Sequence, residues 1–118
     1  MSACLTTATA LAASPIYFGG DVSGLSRQRP ANIHITSDEN INHIHWSSWG
    51  ETFARAHGTV VFSASDGLPP APVRLRLSKV RRCGTRLQYL RLVIFFTGTP
   101  PQGPPQPSVV TYSCKSPS

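Results

Sequence analysis

Acidic residues are scarce in this chain. Five Asp and Glu stand against eleven Lys and Arg, for a formal net charge of +6. After Asp66 no acidic residue follows at all. Charged residues of both signs make up only 14% of the chain, against roughly a quarter in an average soluble domain. With its Ile, Val, Leu and Phe, so uncharged a sequence does not read as a disordered one. The few carboxylates show no paired arrangement of the glycosidase type. No Gly-rich phosphate loop follows a strand, and no nucleophile elbow supports a triad of Asp38, His57 and Ser63. The expectation is a protein without enzymatic activity and without a cofactor. No apolar run reaches the roughly 20 residues of a membrane-crossing helix.

Cysteine is also sparse, at Cys4, Cys83 and Cys114. Cys4 lies in an N-terminal segment open to processing, and setting it aside leaves Cys83 and Cys114 as an even pair. A bridge between them would close a loop of about 30 residues and constrain the unfolded chain by roughly 3–4 kcal/mol. The competing reading is two buried free thiols in a reducing compartment. Residues 1–13 (MSACLTTATALAA) carry no charge and include Ala10-Leu11-Ala12, a small-x-small triplet of the kind signal peptidase reads. The segment reads as a truncated signal, or, with Ser2-Ala3-Cys4, as part of a lipoprotein leader. The alternative is an Ala/Thr tail with no targeting role. Secretion or association with the cell envelope is the expected location.

What the sequence does have is period-two alternation. Glycine and proline total 20, favouring short strands and many turns. Residues 14–31 read as a flexible leader with one short strand, 32–114 as a single β domain and 115–118 as a tail. Asn32–Thr36 and Asn42–Trp46 alternate and are joined by turn residues. A two-residue turn at Asp38-Glu39 would set Ile33 opposite Ile44 and His34 opposite His43. Thr59–Phe62 is a further apolar run, with Gly58 marking a bulge. Pro72–Ser78 places Val73, Leu75 and Leu77 on one face and Arg74 and Arg76 on the other. Lys79–Arg86 reads as a basic turn. In Leu87–Phe96, Leu90, Leu92, Ile94 and Phe96 alternate with Tyr89, Arg91, Val93 and Phe95. Thr99–Pro107, rich in proline, must be a connector, and Val109–Ser113 is the last strand. Six or seven such strands predict an all-β fold, a small antiparallel β-sandwich or barrel.

Three clusters carry the candidate chemistry. Arg74, Arg76, Arg81, Arg82, Arg86 and Arg91 form a one-signed region that would attract anionic polysaccharide or a cell-envelope surface. A solvated face is the plainer reading. No recognisable nucleic-acid motif accompanies it. His34, His43 and His45 would share a face and offer three imidazoles to a metal ion, although no cysteine or acidic residue is placed to assist them. Trp46 and Trp49 offer flat apolar faces to a polymer, or else sit in the core and over a sheet edge. A small inhibitor presenting Pro100–Pro107 is a further reading.

The run Ile44-His45-Trp46-Ser47-Ser48-Trp49-Gly50, followed by Ala56-His57-Gly58, resembles a pattern in a group of small secreted actinobacterial proteins. Pro72-Val73-Arg74-Leu75-Arg76-Leu77-Ser78, Cys83-Gly84 and Tyr89 match the later part of that pattern. The resemblance spans roughly residues 30 to 114. It implies export and β structure and transfers no active-site residue. The group usually carries a cysteine in the loop before the Pro-Val strand. Here Ser63–Pro69 has none, so one disulfide of the group would be missing.

Overall fold

The computed structural model describes residues 14–21, 24, 26–63, 67–97 and 107–114. The expected leader (1–13), the tail (115–118) and nearly all of the proline-rich connector lie outside the described residues. The fold is all-β. Its strands are β1 (Ile16–Phe18), β2 (Ile33–Thr36), β3 (Glu39–Ser48), β4 (Ala54–Phe62), β5 (Ala71–Cys83), β6 (Arg86–Phe96) and β7 (Ser108–Thr111). They form one sheet in the order β1-β6-β5-β4-β3-β2, with β7 also on β6, and the sheet curls into a half-barrel. The expected all-antiparallel arrangement needs one correction, because β1 pairs with β6 in parallel. That pairing joins distant parts of the chain, and no local turn residue encodes it. The segment 14–31 is accordingly part of the fold, with Ile16 and Phe18 in the core.

The first hairpin also differs from expectation. Ile33 faces Ile41 and His34 faces Asn40, across a tight turn at Ser37-Asp38. The turn sits one residue earlier than expected, and the β2–β3 register shifts again between His34 and Thr36. A separate bulge lies further along β3. His43 takes a positive φ of 55°, and the register between β3 and β4 shifts between Asn42 and His45. One extra residue reverses which side chains point inward. Ile41 and Ile44 can therefore both be buried although they are three positions apart. Gly58 lies opposite. A Cβ there would come within 3.0 Å of the Asn42 carbonyl oxygen and 3.2 Å of both Ile41 and Ile44.

A second reversal occurs across β5 and β6. Leu77 and Leu92 pair on the core side, and beyond Lys79, at φ 63°, Val80 and Tyr89 do so. The two strands switch faces together, and their register does not slip. Tyr89, expected on the outer face with Arg91, is therefore fully buried. Lys79–Arg86 is likewise not a loop. β5 runs on to Cys83, and a two-residue turn at Gly84-Thr85 returns the chain. Gly84 at φ 65° supplies the positive φ this turn needs at its first position.

Side chains close what strand pairing leaves open. Asp21, just beyond β1, accepts from the His34 backbone N–H in β2 at 2.9 Å and from Arg27 at 3.0 Å. Trp49 donates to the Ile16 carbonyl and Trp46 to the Pro30 carbonyl, both at 2.9 Å. Their rings pack edge to face at 4.7 Å, and Trp49 packs likewise on Tyr89. Cys83 and Cys114 form the expected disulfide, fastening the chain beyond β7 to the end of β5. Among the described residues no helix is long and apolar enough to cross a membrane.

Two tyrosines, Tyr89 fully buried and Tyr112 half-buried, separate a satisfied hydroxyl from an orphaned one. Tyr89 donates to the Glu51 carbonyl at 2.6 Å and accepts from the Gly50 N–H at 3.0 Å. The Tyr112 hydroxyl is buried with no hydrogen-bond partner among the described residues. Burial and, secondarily, the nearby Asp21 charge push its pKa up to about 12. Tyr89→Phe should cost about 1–3 kcal/mol, since it strands backbone partners. Tyr112→Phe removes only an unmet polar group and should leave stability unchanged or raised. Urea denaturation midpoints of the two variants check this contrast.

Candidate basic basin on the outer face

Strand register decides which cations meet. Every second residue of β5 faces away from the core, so Arg74 and Arg76 stand on the outer face. On β4 the same alternation turns Arg55 and His57 outward, with Ala54, Ala56 and Gly58 directed to the core side. Antiparallel pairing then sets Arg55 opposite Arg76 and His57 opposite Arg74. On the next strands, His45 pairs with His57, and Phe95 pairs with Arg74. Two transverse rows result: His45, His57, Arg74, Phe95 and Ser48, Arg55, Arg76, Val93.

The side chains rising from these rows enclose a shallow basin of about 640 Å³, lined by Ser47, Arg55, His57, Arg74, Arg76 and Phe95 among others. Phe53 stands beside it and is 39% exposed, unusual for so large an apolar ring here. The Arg76 guanidinium lies 5.6 Å from the Phe53 centroid and 5.8 Å from that of Phe95. Arg55 lies 5.5 Å from the same Phe53 ring. These cation–π contacts hold the planar groups in place without consuming their charge. The His45 and His57 rings stack at 5.3 Å beside Arg74.

No acid among the described residues balances this group. The ion pairs among the described residues are those of Asp21 with Arg27 and His34. Arg55, Arg74 and Arg76 therefore have no carboxylate partner among the described residues. Like charges directly opposite on a sheet are destabilising. The Nε atoms of Arg76 and Arg91 are in addition buried without a hydrogen-bond partner.

The sequence-predicted basic residues divide into two places. Arg74 and Arg76 belong to the basin. Arg91 pairs with Ser78 and so lies diagonal to Arg76 on the same face. Arg81, Arg82 and Arg86 sit at the β5–β6 hairpin tip, where Arg86 stacks 4.4 Å over Tyr17. Arg55 and Phe53 were not among the expected residues. The alternation of Ala54-Arg55-Ala56-His57-Gly58 carries the signal for Arg55, because only the small residues fit inward. Phe53 precedes the strand and has no such marker.

The histidine set is not assembled. His34 lies 3.5 Å from Asp21, His43 occupies the bulge, and His45 stacks on His57. The expected pairing of His34 with His43 fails because the turn falls at Ser37-Asp38 and the β2–β3 register shifts between His34 and Thr36. Among the described residues no group of three or more His, Cys, Asp or Glu is placed to hold a metal ion. Trp46 and Trp49 are engaged with the core and with backbone carbonyls. Residues 100–106 of the suggested inhibitory loop lie outside the described residues.

If Arg55 and Arg76 repel across the strand pair, replacing one by an acid should relieve the fold. Arg55→Glu is expected to stabilise by about 0.5 kcal/mol in low salt, with the gain shrinking as salt rises. Thermal unfolding at two ionic strengths measures it.

No protein-family model matches the chain, and no curated protein or solved structure shows a significant match to it.

Proposed function

We propose that this protein is a secreted, non-enzymatic binding module that holds an anionic polymer or an anionic cell-envelope surface against the outer face of its sheet. The observation that carries this reading is the grouping of Arg55, Arg74 and Arg76 around one basin, with no carboxylate partner among the described residues. A fold gains nothing from opposing like charges, and stability given up at one place is characteristic of a functional surface. Arg91 extends the same positive face toward β7. The net charge of +6 adds a long-range field that steers an anion to it.

The disulfide supports the secreted part of the reading, because such bonds persist in oxidising compartments. The N-terminal small-x-small triplet and the resemblance to small secreted actinobacterial proteins point the same way.

Immobilised dextran sulfate and polygalacturonate provide the test. Binding should weaken steeply between low and physiological salt, as displaced counterions require. Arg74→Ala with Arg76→Ala should lower affinity about tenfold or more, a loss near 1.4 kcal/mol. Arg81→Ala with Arg82→Ala, at the hairpin tip, should change it much less. Absence of binding to both polymers, or binding indifferent to salt, would overturn the reading.

A further inference from the structure

The basin's chemistry narrows what it takes. Three guanidinium groups line it: Arg55 and Arg76 face each other across one strand pair, and Arg74 is two positions along from Arg76. Each guanidinium is a planar fork that donates paired hydrogen bonds. A carboxylate has two oxygens in one plane and is fully served by one or two such forks. A phosphate or sulfate monoester has three terminal oxygens arranged about a tetrahedral centre. Three forks rising from two neighbouring strands suit the second shape.

Arg76 has the best-defined position. Its guanidinium lies near two phenyl rings, Phe53 and Phe95, and its Nε is buried without a partner. A side chain restrained in this way loses little freedom on binding. Its orientation is set by ring packing, and its Nη donors remain for a ligand. Arg55 shares the Phe53 ring and reaches the same space from the other strand. Phe53 is also exposed enough to touch the apolar body of whatever carries the anion.

We propose that the basin recognises a tetrahedral oxyanion monoester, a phosphate or sulfate group borne on a larger molecule, with Arg76 as the fixed fork and Arg55 and Arg74 completing the set. This rests on the anion-binding reading above and specifies the group recognised.

Titration calorimetry of the full chain with three compact polyanions tests it: inositol hexakisphosphate, sucrose octasulfate and benzene hexacarboxylate. At least one of the two esters should bind about tenfold or more tightly than the carboxylate. A preference for the first assigns a phosphate ester, for the second a sulfate ester, and equal binding of both assigns the shared tetrahedral group. Arg76→Lys keeps the charge but loses the fork. It should retain most polymer binding while its preference for esters over the carboxylate falls about fivefold or more. If the carboxylate binds as tightly as either ester, this inference fails and polymer binding still stands. If none of the three binds although dextran sulfate does, the inference also fails. Loss of binding to every probe and polymer overturns both readings. Ligand-induced shifts of the Arg Nε–Hε signals should centre on Arg76, and shifts confined to Arg81, Arg82 and Arg86 would count against it.

Discussion

A carboxylate with 1% of its surface exposed joins the two ends of this sheet. Asp21 follows β1, at one end of the strand order, and accepts from a backbone N–H of β2, at the other. Curling the sheet brings these ends near each other, and the Asp21 bond fixes the curl. The charge is tolerated because Arg27 pairs with it and donates at 3.0 Å. An unpaired carboxylate at that depth would be costly. Close packing reinforces the join. A Cβ added to Gly20 would fall 2.6 Å from the Tyr112 ring, so only glycine lets the chain pass there.

The proposed function follows from that closure by exclusion. With the apolar side chains gathered inside the curl, the opposite face is left to water and to whatever the alternating partners happen to be. On β4 and β5 those partners are arginine and histidine. Asp21, the acid seen in ion pairs among the described residues, serves the closure. The low acid content thus leaves a positive basin whose arginines have no carboxylate partner among the described residues. Its aromatic residues hold the guanidinium planes and keep them available.

Much of the fold is legible in the residues. The alternation in Pro72–Ser78 fixes which side of β5 meets water, and with it the placement of Arg74 and Arg76. The late position of Cys114 and its even pairing with Cys83 anticipate the staple. What the residues hide are the two face reversals. His43 and Lys79 adopt positive φ, and neither is a glycine that would announce it. Counting in twos across Lys79 assigns Tyr89 to the wrong face, and the turn at Ser37-Asp38 with the irregular register between His34 and Thr36 hides the pairing of Ile33 with Ile41. The parallel partnership of β1 is hidden for a different reason, since it depends on contacts between the two ends of the domain. Arg55 escapes attention because its neighbours in space lie on another strand. The register that brings it opposite Arg76 is a property of the folded sheet.

The closure by Asp21 can be examined at a single amide. In the native protein the His34 N–H, on an edge strand, should exchange slowly with solvent because the buried carboxylate holds it. In Asp21→Ala the account predicts that this amide loses its protection, more than the Leu75 amide at the centre of the sheet, and that global stability falls with it. His34 protection equal in the two proteins would contradict the account.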